Sequence, residues 1–182
     1  MFQNISMSDI IIASFAGNSI TTEDNNASRE HYDKSRYGEP ASNKRFVYAL
    51  VEALNLIERE KMIIKKSKNK NMSVEEYIKK SSKMEKNFTT RYAVYSDLRK
   101  RGYIIKTALK FGADFRVYPR GVKPGDDHAK WVVFPVSETE SFTWFEFSAK
   151  NRVAHSTKKK LLLGVVDAEE DVTYYEIAWK RP

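Results

Sequence analysis

Histidines are the side chains best suited to proton transfer near neutral pH in this chain, which contains three of them and no cysteine. His31 lies in a polar segment, where we expect it to be exposed to solvent. His155 lies in an apolar-flanked stretch, where a hydrogen-bonded structural histidine is the commoner outcome. His128 follows a turn rich in Pro, Gly and Asp and precedes an apolar run that starts at Trp131. His128 therefore lies where a loop meets a predicted strand, a place where functional groups concentrate.

Two other kinds of side chain could supply a cation and a phenol to such a site. Lys158, Lys159 and Lys160 precede an apolar stretch, and a run of this kind is more often a solvated surface than a site. If the run enters a strand, the alternation of side chains sends Lys159 to the face opposite its two neighbours. Tyr118 ends a strand-like run, and by itself it is best interpreted as a half-buried strand aromatic.

The composition disfavours metal, disulfide and membrane chemistry. With no cysteine and three histidines, we expect no metal site and no cofactor. No apolar run approaches the roughly 20 residues that span a bilayer, so we expect no membrane partner. The first residues lack the basic start of a secretory signal, and cysteine-free composition is typical of a reducing compartment, so we expect a cytoplasmic location.

The first half of the chain predicts a small α/β domain. A short apolar run at residues 10–13 predicts a strand, and the polar residues that follow predict a loop. A helix is predicted up to about Arg59, with a cap at Ser42 or Asn43 and an apolar stripe of Phe46, Leu50, Leu54 and Ile57. After it, the basic stretch 65–70 is typical of a solvated turn.

Two more helices are predicted before the pattern changes to strands. Ser73 with Glu76 three residues later forms a capping box that starts one helix. The next helix begins near Asn87 and ends at Gly102 after a cationic last turn. Beyond it, short β-branched or aromatic runs predict strands at 103–109, 115–118, 131–136, 161–166 and 172–179.

The predicted fold class is therefore α/β in the α+β sense. We expect a small α/β N-terminal domain over residues 1–85, which serves structure and assembly. A second domain over residues 86–182 is expected to have a mixed or antiparallel central sheet flanked by helices.

Positive charge is concentrated in the second half of the chain. The formal charge of the whole chain is +8, and residues 86–182 contain 18 basic and 12 acidic residues, a net charge of +6. Such a skew indicates an anionic partner, most simply a nucleic acid. Ordinary solubility charge explains the composition equally well, so composition alone leaves both interpretations open.

Three segments in register resemble one protein family. KFGADFRVY at 110–118, HA at 128–129 and RVAHSTKKKL at 152–161 together resemble the catalytic domain of archaeal tRNA-splicing endonucleases, also called tRNA-intron lyases. The resemblance covers residues 88–182. YGEP at 37–40 is similar, more loosely, to the family's N-terminal domain.

The resemblance implies a catalytic triad of Tyr118, His128 and Lys159, and with it a nuclease function for the second domain. Cutting RNA without a metal needs a base for a ribose 2′-OH, an acid for the leaving 5′-oxygen and a cation for the crowded phosphorane. By resemblance these roles belong to Tyr118, His128 and Lys159, in that order. Because an ordinary tyrosine is a poor base at pH 7, Lys159 and neighbouring arginines would have to favour its phenolate.

The implied substrate is a precursor tRNA with a bulge-helix-bulge, cut to leave a 2′,3′-cyclic phosphate and a 5′-hydroxyl. Unstacked nucleotides of such an RNA can be gripped by planar guanidinium groups. Arg152 matches the family's position for an arginine that sandwiches a bulged base. Arg181 or Lys180 is the expected companion, and a surface ion pair is the alternative role for these side chains.

The resemblance also implies an assembly. The acidic residues between the last two predicted strands are expected to contact another subunit, although a solvated hairpin turn explains them too; they are Asp167, Glu169, Glu170 and Asp171. The expected enzyme is a homotetramer, or a heterotetramer with a noncatalytic subunit. A noncatalytic RNA-binding subunit of the same assembly is the alternative function, and an unrelated basic RNA-binding module is a third.

Overall fold

Short apolar runs separated by turn residues become the strands of two sheets, as the strand pattern of the sequence indicates. The computed structural model describes residues 10–67, 70–108, 110 and 112–180, which divide into two compact units after Phe88. Each unit combines helices with one sheet that contains antiparallel and parallel strand pairs, so the predicted fold class is confirmed. No helix among the described residues is long and apolar enough to cross a membrane.

The first unit contains a six-stranded sheet in the order β3-β4-β2-β1-β5-β6. Its central strand β1 pairs antiparallel with β2 and parallel with β5. The strands are β1 Ile11–Ala16, β2 Ser19–Glu23, β3 Glu39–Ala41, β4 Arg45–Tyr48, β5 Met62–Ser67 and β6 Lys70–Asn71. The helices are α1 Asn26–Ser35, α2 Leu50–Glu58 and α3 Val74–Met84.

The prediction of a loop after the first strand is wrong, because this stretch forms β2 and α1. Gly17, with a φ of +57°, allows the tight turn from β1 into β2. Asn25 then caps α1, because its side-chain oxygen accepts a hydrogen bond from the backbone N–H of Ser28 at 2.9 Å. The few apolar residues of this stretch hide both elements from a search for hydrophobic periodicity.

The helix predicted from the stripe at Phe46 starts later than expected. Phe46 and Tyr48 lie on β4, both buried, and α2 begins only at Leu50. The spacing between Phe46 and Leu50 imitates a helical turn, but the β4 backbone pairs with β2, with Phe46 opposite Thr22. The capping box of Ser73 with Glu76 is confirmed as the start of α3.

The basic stretch is also more ordered than a turn. β5 runs to Ser67, and Lys65 lies opposite Asn71 of β6, while residues 68 and 69 lie outside the described chain. Lys66 and Ser67 are exposed, so this stretch is solvated as expected.

The second unit contains a five-stranded sheet in the order β11-β10-β9-β8-β7. The predicted helix and the five predicted strands are present, with bounds shifted by a few residues. They are α4 Phe88–Lys100, β7 Ile104–Thr107, β8 Phe115–Tyr118, β9 Trp131–Ser137, β10 Lys160–Val166 and β11 Val172–Ile177. The predicted strand at 172–179 ends earlier, at Ile177.

One helix, α5 Trp144–Ser156, has no counterpart in the sequence-based prediction. β9 and β10 are parallel neighbours, and parallel strands need a crossover connection, which α5 supplies. Thr143 caps α5, since its hydroxyl accepts from the N–H of Glu146 at 3.2 Å. The threonine with a glutamate three residues later is a capping box that could have been read from the sequence.

The two helices of this unit cover opposite faces of the sheet. Leu161 and Leu163 of β10 belong to the core cluster that contains Ala154 of α5. Gly164 faces the other way, and a Cβ there would lie 2.9 Å from the Val94 side chain of α4. Helices thus cover both faces of the sheet, and functional groups are expected at the strand ends, where the loops begin.

Candidate active site

One edge of the second sheet gathers the ends of three neighbouring strands. Val117 of β8 and Lys160 of β10 are both register partners of Trp131 of β9. The N–H of Lys130 donates to the carbonyl of Val117 at 2.9 Å, and the N–H of Lys160 donates to the carbonyl of Lys130 at 3.0 Å. Residues that follow β8, precede β9 or precede β10 therefore lie at the same edge.

Tyr118, His128 and Lys159 all lie at this edge. Tyr118 is the last residue of β8, His128 stands three residues before β9, and Lys159 directly precedes β10. Three residues that are up to 41 positions apart in sequence thus lie at the ends of adjacent strands. The edge combines a phenol, an imidazole and an ammonium group, a set that can take a proton, deliver a proton and stabilise negative charge.

Tyr118 is mostly buried, with 5% of its surface exposed. It shares a face of β8 with Arg116, whose guanidinium carbon lies 5.9 Å from the centre of the phenol ring. The sequence-based interpretation of Tyr118 as a half-buried aromatic thus understates its burial. The Arg116 guanidinium also lies beside its ring.

His128 is exposed at the end of a loop with two glycine turns. Gly121 and Gly125 have φ values of +81° and +102°, a region that favours glycine. The backbone N–H of His128 donates to the Asp127 carboxylate at 2.6 Å, while the next residue, Ala129, is buried. The loop therefore holds the His128 backbone and leaves its side chain open to a substrate.

Lys159 is half-buried, whereas Lys158 and Lys160 are exposed. The expected strand alternation does not produce this difference, because only Lys160 lies in β10 and Lys158 has a left-handed φ of +54°. The Lys159 ammonium donates to the carbonyl of Thr157 at 2.9 Å, at the end of α5. This hydrogen bond to a helix C-terminus positions the cation.

Lys160 has a different partner. The carboxylate of Glu176 on β11 forms an ion pair with the Lys160 ammonium and accepts from the Trp131 indole N–H at 2.7 Å. The hydrogen bonds from Lys160 and Trp131 lower the pKa of Glu176. Glu176 therefore forms its ion pair with Lys160, while the Lys159 ammonium donates to a backbone carbonyl.

Arg152 lies on α5 and lines a small cavity of about 180 Å³ together with Ser148, Asn151 and Trp179. The exposed His155 packs edge-on against Trp179, with the ring centres 4.4 Å apart. His155 is therefore an exposed residue of α5 that contacts an aromatic ring, and it is not the structural histidine that the sequence predicted. A guanidinium and an indole on one cavity are the groups that hold a planar base.

The sequence predicts Arg181 or Lys180 as the companion of Arg152, and the structure places Trp179 on the same cavity. Lys180 is exposed and follows Trp179 directly, and Arg181 lies outside the described residues. The sequence signal for Trp179 is an aromatic residue directly before two basic residues. The same tryptophan also fits the end of the strand predicted over 172–179, so its binding role was not predicted.

The acidic residues predicted for a subunit interface form the turn between β10 and β11. The Asp167 carboxylate accepts from the backbone N–H groups of Glu169 at 3.0 Å and of Asp171 at 2.9 Å. Glu170 has a φ of +65°, and the side chains of Glu169, Glu170 and Asp171 are exposed. The turn is ordered by Asp167 and presents the other three carboxylates outwards.

Two other features concern proton and metal chemistry. His31 lies on α1 in the first unit, half-buried rather than exposed, and burial lowers its pKa. It therefore belongs to a different unit from Tyr118, His128 and Lys159. Within the described ranges, no three His, Asp or Glu side chains are grouped so as to hold a metal ion.

Comparison with known proteins assigns both units to one family. The family model for the tRNA intron endonuclease catalytic C-terminal domain matches residues 88–174. The model for the tRNA intron endonuclease N-terminal domain matches residues 11–78. The chain belongs to the tRNA intron endonuclease family. The resemblance drawn from the three sequence segments is thereby confirmed, and so is the resemblance of the N-terminal region.

Archaeal members of the family are similar over most of the chain. The tRNA-splicing endonuclease of Nanoarchaeum equitans is 45% identical over 139 residues, which are 73% of this chain and 88% of that protein. That of Thermococcus gammatolerans is 37% identical over 94% of this chain and 99% of its own length. That of Methanothermobacter thermautotrophicus is 41% identical over 90% and 94%. Family membership thus extends over both units.

Proposed function

We propose that this chain is the catalytic subunit of a tRNA-splicing endonuclease that cuts precursor tRNA at a bulge-helix-bulge without a metal. The observation that carries the proposal is the position of Tyr118, His128 and Lys159 at the ends of three adjacent strands, at one edge of the sheet. The second unit, residues 86–182 in the sequence-based division, would carry the chemistry. The first, residues 1–85, would serve structure and assembly.

In the proposed reaction Tyr118 takes the proton from a ribose 2′-OH. The 2′-oxygen attacks the adjacent phosphorus, and the bond from phosphorus to the 5′-oxygen breaks. His128 gives a proton to that leaving oxygen. The products are a 2′,3′-cyclic phosphate and a 5′-hydroxyl, which is transesterification of the tRNA-intron lyase type.

Lys159 would stabilise the charge that develops on the phosphorane. Its hydrogen bond to the Thr157 carbonyl holds the ammonium before substrate arrives, so little reorganisation accompanies the reaction. Arg116, beside the ring of Tyr118, would add a second positive charge near the reacting groups.

Substrate recognition would use the cavity that Arg152 and Trp179 line. An unpaired base inserted there would lie against Arg152 and Trp179, which offer a planar cation and an aromatic face. From the sequence, Arg181 or Lys180 is proposed as the companion of Arg152 in holding this base, and Lys180 is exposed next to Trp179. The excess positive charge of the second half of the chain then serves a polyanion.

The assembly is proposed to be a tetramer, either of this chain alone or with a noncatalytic subunit. The outward carboxylates of Glu169, Glu170 and Asp171 suit a basic pocket on another subunit. β11 is the last strand of its sheet, so one of its edges is available to pair with a second strand. The absence of cysteine from the sequence favours a reducing cytoplasmic location.

The test is cleavage of an intron-containing precursor tRNA by the full chain in EDTA. We expect cutting at both bulges, and a product that carries a 2′,3′-cyclic phosphate. His128→Ala should lower the rate about 10²-fold or more, whereas His31→Ala, a histidine of the other unit, should leave it unchanged. Candidate partner subunits are added in parallel, because a heterotetramer would need them. Equal rates for wild type and His128→Ala would refute the catalytic assignment.

A further inference from the structure

Two aromatic side chains at the start of α5 are exposed to an unusual degree. Trp144 is 82% exposed and Phe145 is 75% exposed, the highest values among the large apolar side chains of the described chain. Neighbouring apolar side chains left in solvent to this extent mark an interaction surface. The proposed reaction makes no use of either residue.

Both aromatics extend the face of α5 that lines the Arg152 cavity. Ser148, which lines that cavity, stands four residues after Trp144 and three after Phe145, and such residues are neighbours on a helix. Arg152 follows two turns after Phe145, and its guanidinium carbon lies 5.8 Å from the centre of the Phe145 ring. The aromatic pair and the cavity therefore form one continuous surface.

The length of this surface fits more than one nucleotide. Phe145 and Arg152 lie seven positions apart on α5, which corresponds to about 10 Å along a helix. Stacked nucleotides repeat about every 3.4 Å along a strand. The span corresponds to about three such steps, so an unpaired segment with one base in the cavity would bring a base about three positions along the strand to Trp144 and Phe145.

The charges around the aromatic pair favour RNA over a protein partner. Arg152 lies against the Phe145 ring, with its guanidinium carbon 5.8 Å from the ring centre. The nearby carboxylate of Glu146 is held at the helix start, where it accepts from the backbone N–H of Thr143 at 2.8 Å. Aromatic faces interleaved with cations are typical of surfaces that stack unpaired bases.

We propose that Trp144 and Phe145 form a stacking platform for unpaired nucleotides that flank the base held by Arg152 and Trp179. The platform rests on the proposed function, because it deepens the recognition of the same RNA. Its contribution is to binding: the aromatic pair would select RNA with unpaired nucleotides next to the bulged base, and would leave the chemical step unchanged.

The test compares binding constants for two RNAs by fluorescence anisotropy in EDTA. One is a bulge-helix-bulge RNA with a 2′-deoxy nucleotide at each scissile position, so that it cannot be cut. The other is a fully paired RNA of the same length. The protein variants are wild type, Trp144→Ala with Phe145→Ala, Trp144→Tyr with Phe145→Tyr, and Ile12→Ala. Ile12 is 55% exposed in the other unit and controls for loss of exposed apolar surface.

The double alanine variant should raise Kd for the bulged RNA at least about fivefold and leave Kd for the paired RNA within about twofold. The double tyrosine variant should bind like wild type, because it keeps two aromatic faces, and Ile12→Ala should too. Both side chains are exposed, so the variants should keep the wild-type Tm. If the double alanine variant does not fold, Trp144→Ala alone decides the question by the same comparison.

Three outcomes would overturn the platform. The first is an unchanged Kd for the bulged RNA, and the second is equal weakening for both RNAs. The third is a change in oligomeric state without RNA, measured by sedimentation, which would make the pair a protein interface. Failure of wild type to prefer the bulged RNA would refute the proposed function itself, and the platform with it. A wild-type preference that the double alanine variant retains would refute the platform alone.

Discussion

The backbone N–H of Lys160 donates to the carbonyl oxygen of Lys130 at 3.0 Å, at the point where β9 and β10 begin side by side. Because the two strands are parallel, their preceding residues approach the same edge of the sheet. This backbone pairing, which involves neither side chain, therefore brings Lys159 and His128 to the same edge of the sheet. Changes to their side chains should alter chemistry with little effect on the fold.

Lys159 and Lys158 offer a matched pair for testing the electrostatic role. Lys159→Ala should lower the cleavage rate of precursor tRNA about 10²-fold, because it removes the cation positioned by the Thr157 carbonyl. Lys158→Ala removes the same charge from an exposed neighbour and should cost less than about threefold. Single-turnover rates measure both. Equal losses would mean that Lys159 contributes only to the general positive field.

Arg152→Lys separates planarity from charge at the proposed base-binding cavity. The lysine keeps the positive charge but cannot stack its head group, so Kd for a bulged RNA should rise about tenfold. The slope of log Kd against log salt should stay the same, because the number of neutralised phosphates is unchanged. Binding titrations at several salt concentrations provide both values. An unchanged Kd together with an unchanged slope would make Arg152 a phosphate contact, because a lysine can neutralise a phosphate as an arginine does.

Arg91 and Asp114 form a largely buried ion pair at 2.8 Å whose loss should depend on pH. Burial raises the pKa of Asp114, and the charge of Arg91 opposes that rise. Arg91→Met should therefore destabilise the chain by about 2–3 kcal/mol at pH 7, since it leaves a carboxylate without its main partner.

The loss caused by Arg91→Met should shrink as the pH falls. A raised folded-state pKa means that folded Asp114 binds its proton at a pH where the unfolded chain has released it. Stability is thus regained as the pH falls through the folded pKa towards about 3.8. Urea denaturation at pH 7 and pH 4.5 measures the difference. A loss of the same size at both values would exclude Asp114 as its source.

Gly38 and Gly17 should differ in their tolerance of a methyl group. Both have left-handed φ angles, +71° and +57°, so alanine costs about 1 kcal/mol at either position. At Gly38 the new Cβ would also lie 2.6 Å from the buried ring of Tyr48, whereas at Gly17 nothing lies within 4 Å. Gly38→Ala should therefore lose more than about 2 kcal/mol. Thermal or urea denaturation tests this, and equal losses would mean that the Tyr48 ring can move aside.

Local sequence signals predicted the elements whose conformation is determined by residues close together in the chain. The capping box of Ser73 with Glu76 marks α3, and β8 at 115–118 begins and ends where its pattern does. By contrast, α1 has too few apolar residues for its period to be visible. Phe46 lies at helical spacing from Leu50 although it belongs to β4. There, pairing with β2 decides the backbone, and a strand partner cannot be read from the residues of one strand.

The sequence by itself determined the chemical groups: a phenol, an imidazole, an ammonium and a guanidinium in a basic chain without cysteine. Their types and order were enough to indicate the family and to predict the roles of Tyr118, His128, Lys159 and Arg152. Side-chain chemistry is a property of the residue, so it is visible without a fold.

Only the tertiary structure decided which of these residues lie at the same edge of the sheet. The parallel pairing of β9 with β10, made possible by the unpredicted helix α5, brings Lys159 to the edge that carries His128. The same helix places Arg152 beside Trp179 and raises Trp144 and Phe145 into solvent. Such neighbours are set by packing between residues distant in sequence, because the free energy of burying the apolar faces of α4 and α5 selects one arrangement of the sheet.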